Sequence, residues 1–472
     1  MLVTGRTYRT RDEFGTANGG VSFWFRQIGL PEPGPALPGD RSADVCIVGG
    51  GLTGLWTAYH LAGAQPDLRV VVLEKEFAGY GASGRNGGWL SAELAGSLDR
   101  YAATGGRDGV RRLVRAMEQT VDDVIGVCRD EGIDADIVKD GVLHVARTEP
   151  QLARLDALLA DRAAWGLGEG HDQRLSRAEV HDRVRVEGAL AAVHSPHAAR
   201  VQPARLVRGL LAAVRRRGVT VYEGTEVTAI SPGRAVTPRG TVRADVVLRC
   251  LEGFTAGLPG SRRDWLPMNS SMVVTEPLAA SVWSEIGWQG AELVGDGANA
   301  YSYAQRTADG RIAIGGRGIP YRFGSRTDID GVTHRWTIES LTAVLHSQFP
   351  ATYGVPLAHA WCGVLGVPRD WCASVTFDRR TGLGWAGGYV GSGLSTTYLA
   401  ARTLADLVLE RDTDAVHLPW TNRRVRRWEP EPLRWLGVRS MYLLYREADR
   451  REAGGLRRPS RLTGFANRIT GR

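Results

Sequence analysis

Short unbroken apolar runs and helical stripes alternate along this chain. DVCIVGG, from residue 44, and RVVVLE, from residue 69, are rich in β-branched residues and predict buried parallel strands. Between them, LTGLWTAYHLA sets Leu52, Leu55, Tyr59 and Ala62 on one helical face. The three pieces make a strand–helix–strand unit of about 30 residues. Farther on, Leu206, Leu210, Leu211 and Val214 share one side of a helix that Gly218 ends, and VTVYEG follows as a strand. ADVVLRCLEG, residues 244–253, is another buried strand, and GGYVGSGLSTTYLAARTLADLVL reads as strand, glycine turn and helix. EQTVDDVIGVCRDEG and EPQLARLDALLADRAAWG are amphipathic helices, and KDGVLHVAR between them is a strand opened by a Lys139-Asp140-Gly141 turn. In YSYAQRTADGRIAIGGR, Asp309-Gly310 separates two alternating runs and predicts a hairpin with Tyr301 and Tyr303 on one face. No internal repeat is visible, and only PEPGPALPG reads as a linker.

With 472 residues the chain is long enough for two intertwined domains. Apolar content of 43% and charged content of 23% describe a globular protein. No apolar run is long enough for a membrane span, and MLVTGRTYRTRDEFG lacks the apolar core of a secretion signal. Five cysteines without a C-x-x-C pair fit a reduced, cytoplasmic protein with no structural zinc. The net charge of +8 comes from arginine, since Lys75 and Lys139 are the only lysines. The arginines are spread over the chain, so nucleic acid is not an expected partner. The tail from residue 416 mixes them with acids and aromatics, the pattern of a packed amphipathic helix with a basic outer face. There is no G-x-S-x-G, no H-E-x-x-H and no sequence cluster of histidines, so neither a serine nucleophile nor a metal is expected.

The first strand–helix–strand unit carries the chemistry. Gly49 permits a tight turn, Gly51 lets the backbone approach a pyrophosphate, and Gly54 lets the helix pack on the strand. Leu52 and Thr53 open the helix, whose N–H groups and positive dipole end face the phosphates. Glu74, 20 residues after Gly54 and followed by Lys75, ends the second strand where a carboxylate accepts from ribose hydroxyls. This predicts an adenine dinucleotide, FAD or NAD. The next stretch, GYGASGRNGGWLSAEL, favours FAD: Gly81, Ala82, Gly87 and Gly88 let the main chain lie flat against a large group, and Ser83, Arg85 and Asn86 offer donors. Gly391, Ser392 and Gly393, with Leu394 and Ser395, open a helix whose N-terminus can stabilise charge gained by a reduced flavin. The competing reading is an ordinary helix capped by Ser392 or Ser395.

The G-A-S-G-R-N-G-G run resembles the signature of FAD-dependent oxidoreductases of the D-amino-acid oxidase superfamily, in particular the glycine/sarcosine oxidase and γ-glutamylputrescine oxidase-like branch. SFWFRQIGLPEPGPALPGDRSADVCIVGGG, SMVVTEPL and the segment WCGVLGVPRDWCASVTFDRRTGLGWAGG extend the resemblance in order down the chain. It implies a mixed α/β fold: a Rossmann-like FAD-binding domain over residues 40–100, 200–260 and 355–415, interleaved with an antiparallel-sheet substrate domain over 101–199 and 261–354. Residues 1–39 would be a lead and linker, and 416–472 a basic helical tail. It implies that Val227 meets the adenine, and that Tyr301, Tyr303, Arg317 and Trp361 line the substrate pocket, with Trp24, Trp89 and Trp371 nearby. The implied reaction is oxidation of an amine or amino-acid C–N bond to an imine by hydride transfer to flavin N5, with O2 as acceptor and H2O2 as product. An amine dehydrogenase or biosynthetic tailoring oxidase with another acceptor is the alternative; an NAD(P)-dependent dehydrogenase or a flavin-binding partner subunit is more remote. Three departures stand out. Cys250 and Leu251 replace the usual small residues, Ala313 falls where relatives use an oxygen-activating lysine, and Leu90 falls where many carry a cysteine. Noncovalent FAD is the expectation.

Overall fold

The computed structural model describes residues 16–168, 170–316, 318, 321–327 and 330–470, with the backbone alone at Ile469. The strand–helix–strand unit forms as predicted. Arg41–Val48 lies between Val70–Leu73 and Gly240–Arg249, parallel to both, and Thr220–Tyr222 adds a further parallel strand beyond Val70–Leu73. Gly240–Arg249 starts before the apolar run because its first half is the return arm of a hairpin with Arg234–Thr237. Its last residues pair in parallel with Leu383–Gly387, which turns back on Ser374–Asp378.

Both faces of this sheet are covered, which explains the continuous apolar runs. Val45, Ile47, Val70 and Val72 face the helices Leu52–Ala64, Pro203–Arg216 and Gly393–Val408. Cys46, Val48, Val71 and Leu73 face a smaller cluster that includes Leu37 and the hairpin residues Ala235 and Val242. The stretch PEPGPALPG is therefore docked. Leu37 is 1% exposed, and the fully buried Glu223 accepts from the Gly34 N–H and, at 2.7 Å, from that of Ala78.

The second sheet runs Ala17–Asn18, Leu357–Val367, Leu266–Thr275, Ile312–Gly316, Tyr303–Arg306, Leu293–Asp296, Val142–Ala146, Ala191–Ser195, Gln173–Ser176. Neighbours are antiparallel except for the first pair and Leu293–Asp296 with Val142–Ala146. Two segments depart from the expected division. Leu357–Val367 pairs with Leu266–Thr275 in the second sheet, so the return to the first sheet comes only at Ser374. The helical segment Leu98–Asp130, broken at Gly106 (φ 65°), buries Val110, Leu113, Met117, Val121 and Val124 from its second part in the core shared with Leu52–Ala64, Pro203–Arg216 and Gly393–Val408, because the apolar stripe of that part meets Gly393–Val408. The predicted hairpin forms, with Gly310 at φ 74° and Thr307 donating to Asp309 at 2.6 Å.

The tail forms two helices, Leu433–Ala453 and Arg461–Thr470. Val438 and Tyr442 pack on Leu266, Met268, Val367 and Trp428. Among the described residues, no helix is long and apolar enough to cross a membrane. Glu452, 2% exposed, fixes the tail. It accepts a two-pronged bond from Arg154 at 3.0 and 2.8 Å and another from Ser460 N–H at 3.0 Å. Replacing Glu452 with alanine removes this anchor and should cost about 2 kcal/mol of local stability. The expected result is tryptic cleavage of the arginine-rich tail accelerated roughly 30-fold over wild type, with the remainder of the chain intact.

Candidate active site

The helix Leu52–Ala64 begins at Gly51 without a side-chain cap of its own. Its first N–H, on Leu52, donates to Ser83 Oγ at 2.8 Å, so the second glycine turn folds over the helix start. A Cβ at Gly54 would lie 2.0 Å from the Gly49 carbonyl oxygen, and one at Gly49, where φ is 112°, would lie 2.4 Å from that of Cys250. Only glycine permits this approach of three backbone segments. Glu74 accepts from Gly50 N–H at 2.8 Å and Glu76 N–H at 3.0 Å. Burial pushes its carboxyl up to about 7, although both donors pull the other way. Val227 lies in the adjoining segment, where Thr225 N–H donates to the Glu74 carbonyl at 2.8 Å. Lys75 turns its ammonium to Glu226 at 2.7 Å on the surface.

The Gly393–Val408 helix also starts without a side-chain cap. Ser392 occupies the cap position but makes no cap bond, and Ser395 donates to the Ser91 carbonyl. This overturns the reading of an ordinary capped helix. The two helices lie side by side. Thr53 donates to the Tyr389 hydroxyl at 3.2 Å near their starts, and Trp56 meets Tyr398 edge-on at 5.0 Å farther along. Glu252, which the sequence reading missed, shapes the turn before the second helix. It sits at φ 45° and accepts from Gly388 N–H at 3.0 Å and Tyr389 N–H at 2.9 Å. Burial pushes its carboxyl up to about 7. The signal was an acid next to Leu251, in a segment where small residues were expected.

A cavity of about 730 Å3 joins the glycine turn at residues 81–88 to the one at residues 391–393. Ala82, Arg85, Asn86 and Gly87 line it from one side, and Gly391, Ser392 and Leu394 from another. Such a volume suits a cofactor ring and a small substrate. Tyr301 and Tyr303 both line it, with ring centroids 6.2 Å apart, and the Tyr303 hydroxyl bonds that of Ser270 at 2.8 Å. Trp89 stands edge-on to Tyr303 at 5.9 Å and to His144 at 6.4 Å. His144 Nε2 bonds Glu93 at 2.7 Å. Burial opposes charge on this ring, but the bond to Glu93 and its negative charge outweigh that, so the His144 pKa is raised.

Several candidates fall elsewhere. Trp361 is fully buried behind the turn, where its indole N–H donates to the Arg85 carbonyl at 2.8 Å; Phe23 and Trp24 pack against it. Its size filled the core before it could reach the pocket. Trp24 likewise donates to the Asn86 carbonyl, at 2.7 Å, whereas Trp89 and Trp371 do line the cavity. The side chains of Arg85 and Asn86 hold the turn from within. Arg85 Nε donates to Tyr80 carbonyl at 2.7 Å, and Asn86 donates to Ser83 carbonyl and accepts from Gly88 N–H at 2.9 and 2.8 Å. Gln305, not foreseen, donates to the Gly87 carbonyl at 2.6 Å. Arg317 lies outside the described residues. Ala313 is buried opposite Gln305, and Leu90 is buried in the strand Trp89–Ser91. No cysteine among the described residues lines the cavity. The histidines, scattered in sequence, are not all apart in space: His171 and His197 converge with Glu118.

Two helix ends without side-chain caps, an acid at the end of the second strand and a cavity of about 730 Å3 make an α/β protein with room for a flavin dinucleotide. Residues 44–407 match the family described as DAO: FAD dependent oxidoreductase, and the chain belongs to that family. It is similar to probable oxidoreductase OrdL of Rhizobium meliloti (strain 1021), with 29% identity over 390 residues, 80% of this chain and 86% of that protein. It is also similar to gamma-glutamylputrescine oxidoreductase of Escherichia coli (strain K12), with 30% identity over 377 residues, 78% and 84% of the two chains. Its fold is shared with the crystal structure of glycine oxidase from Geobacillus kaustophilus, with a TM-score of 0.68 at 23% identity, covering 81% of this chain and 99% of that one.

Glu74 generates a two-part prediction. Glu74→Ala removes the acceptor at the end of the second strand and should weaken FAD binding roughly 10- to 100-fold, read by flavin fluorescence titration. In the apoprotein, Glu74 and Glu252 hold their protons up to about 7, whereas the unfolded chain releases them near 4.5. Their contribution to stability is therefore full below pH 4.5 and is lost as pH rises through 7. Glu74→Gln, which does not ionise, should flatten that slope in urea-unfolding curves recorded from pH 5 to 8.

Proposed function

We propose that this FAD-dependent oxidoreductase converts the C–N bond of an amine or amino-acid-like substrate to an imine, which water then hydrolyses. The observation that carries this reading is one cavity shared by the glycine turns at residues 81–88 and 391–393 and an aromatic wall. Bound FAD supplies a two-electron acceptor for the hydride from the carbon next to nitrogen. The chain's residues do the rest. The start of Gly393–Val408 favours negative charge in front of it through free N–H groups and its dipole. Trp89 and Tyr303 exclude water and cradle the amine, with Tyr303 fixed by Ser270. The Glu93–His144 pair on the same wall takes the proton of an incoming ammonium, so that the nitrogen is neutral when its neighbouring C–H is oxidised. FAD is held noncovalently, a reading supported by the lack of a cysteine on the described cavity wall. Five free, buried thiols support a cytoplasmic setting.

O2 is the proposed acceptor, with H2O2 as product. Transfer to a different acceptor is a second reading favoured by one observation: Ala313 is an apolar core residue, while Lys75 and Lys139 are held at the surface by Glu226 and Asp122.

Anaerobic mixing with amines, amino acids and γ-glutamyl-amines should bleach the flavin with at least one member of the panel. A flavin that no member bleaches sinks the amine reading. Readmitted air should then restore the colour with peroxide formed; colour that stays bleached assigns the electrons to another acceptor. Tyr303→Phe should lower kcat/KM about tenfold with FAD content unchanged.

A further inference from the structure

The fold joins three sequence-distant segments beside the cavity. Glu118 comes from the Leu98–Asp130 helix, His171 from the loop before Gln173–Ser176, and His197 from the turn between Ala191–Ser195 and Ala198–Arg200. One ligand-capable atom from each lies within 4.8 Å of the other two. Glu118 is 8% exposed, a costly place for a carboxylate without cationic company. His171 Nδ1 bonds it, and that accounts for two of the three groups. The third is unaccounted for: His197 Nδ1 is buried with no hydrogen-bond partner. The backbone of His197 is held in place by Ala92, whose N–H donates to its carbonyl at 2.9 Å. The nearby acid Asp172 is already paired with Arg162 at 2.5 Å and does not compete for the imidazoles.

We infer that Glu118, His171 and His197 form a binding site for a divalent transition-metal ion, with Zn2+ as the fitting representative. Two imidazoles and one carboxylate are a donor set that zinc accepts and that calcium and magnesium, which prefer oxygen ligands, do not. An ion at the usual 2.0–2.2 Å bond lengths sets its ligand atoms about 3.3 Å apart, so the hydrogen-bonded Glu118–His171 pair opens slightly, His171 Nδ1 gives up any proton it shares there, and His197 rotates in. Such a set leaves coordination positions open. Glu118 and His197 line the cavity, so those positions face the cavity interior. An ion there gives the cavity a positive anchor for an anionic group. The site stands on its own donor geometry and does not depend on the flavin chemistry.

The test is calorimetric titration of ZnCl2 into the untagged FAD-loaded protein after chelator treatment and dialysis. One tight site per chain is expected, with a thermal midpoint that rises on zinc addition. His197→Ala and His171→Ala should each weaken that site by at least roughly 10- to 100-fold, the loss seen when even an outer-shell partner is removed. His417→Ala, at an exposed and distant histidine, should bind zinc as wild type does. Flavin content and the metal-free thermal midpoint report whether each variant folds. Should Glu118→Gln fail to fold, the two histidine variants carry the test. No tight site in wild type, or a site that both histidine variants retain in full, overturns the proposal and assigns any zinc uptake to exposed histidines. Neither outcome bears on amine oxidation, which the flavin-bleaching experiment reads separately.

Discussion

Two helices that begin side by side without side-chain caps are the constraint on which this structure turns. A helix leaves its first four N–H groups without partners inside the helix, and burying such a donor unpaired costs about 1–3 kcal/mol. In Leu52–Ala64 the Ser83 hydroxyl relieves only the Leu52 N–H. In Gly393–Val408, Ser392 and Ser395 leave the first turn without a side-chain acceptor. Each helix end also favours a negative charge by about 0.3–1 kcal/mol, or up to ~2 kcal/mol when partly buried. The meeting of these two helix starts is therefore short of side-chain acceptors. A ligand with anionic, accepting groups completes it.

Three carboxylates keep that convergence in shape by binding backbone. Glu223 draws the docked linker and the Ala78 turn together, Glu74 fixes the first glycine turn, and Glu252 fixes the turn before the second helix. Glu223 has Arg208 and Arg215 at 3.4 Å. Glu74 and Glu252 sit among backbone donors, and burial raises both carboxyls. Both acids therefore favour their neutral forms, and a ligand that supplies further donors shifts them toward charge.

Local physics made much of this legible in the sequence. The strand–helix–strand unit, the Asp309-Gly310 hairpin and the helix stop at Gly218 all follow from patterns within one element. The glycine spacing likewise identified the turns that meet at the cavity. What escaped depends on long-range packing. Leu357–Val367 reads equally well in either sheet, because a fully buried strand carries no alternation to show which partner it has. Trp361 and Trp89 look alike in sequence; one is locked behind the turn by Trp24 and Phe23, and the other faces open space. Glu118, His171 and His197 have no spacing in common, since a helix, a loop and a strand turn each deliver one of them.

The side of the cavity built from the second sheet now takes on a definite electrostatic character. Where relatives are expected to carry a lysine, Ala313 packs in the apolar core with Val274 and Trp361, and Gln305 across from it binds the Gly87 carbonyl. Positive charge near the glycine turn therefore comes from Arg85 and from the second helix end. Arg85 is 2% exposed and anchored to the Tyr80 carbonyl, with its guanidinium over the Tyr80 ring at 4.5 Å. A planar, delocalised cation held this way cannot give up a proton as an ammonium can. Any assistance it lends to an electron acceptor is purely electrostatic. Among the described residues that line the cavity, the Glu93–His144 pair is one group with the chemistry to move protons there, as the proposed reaction requires.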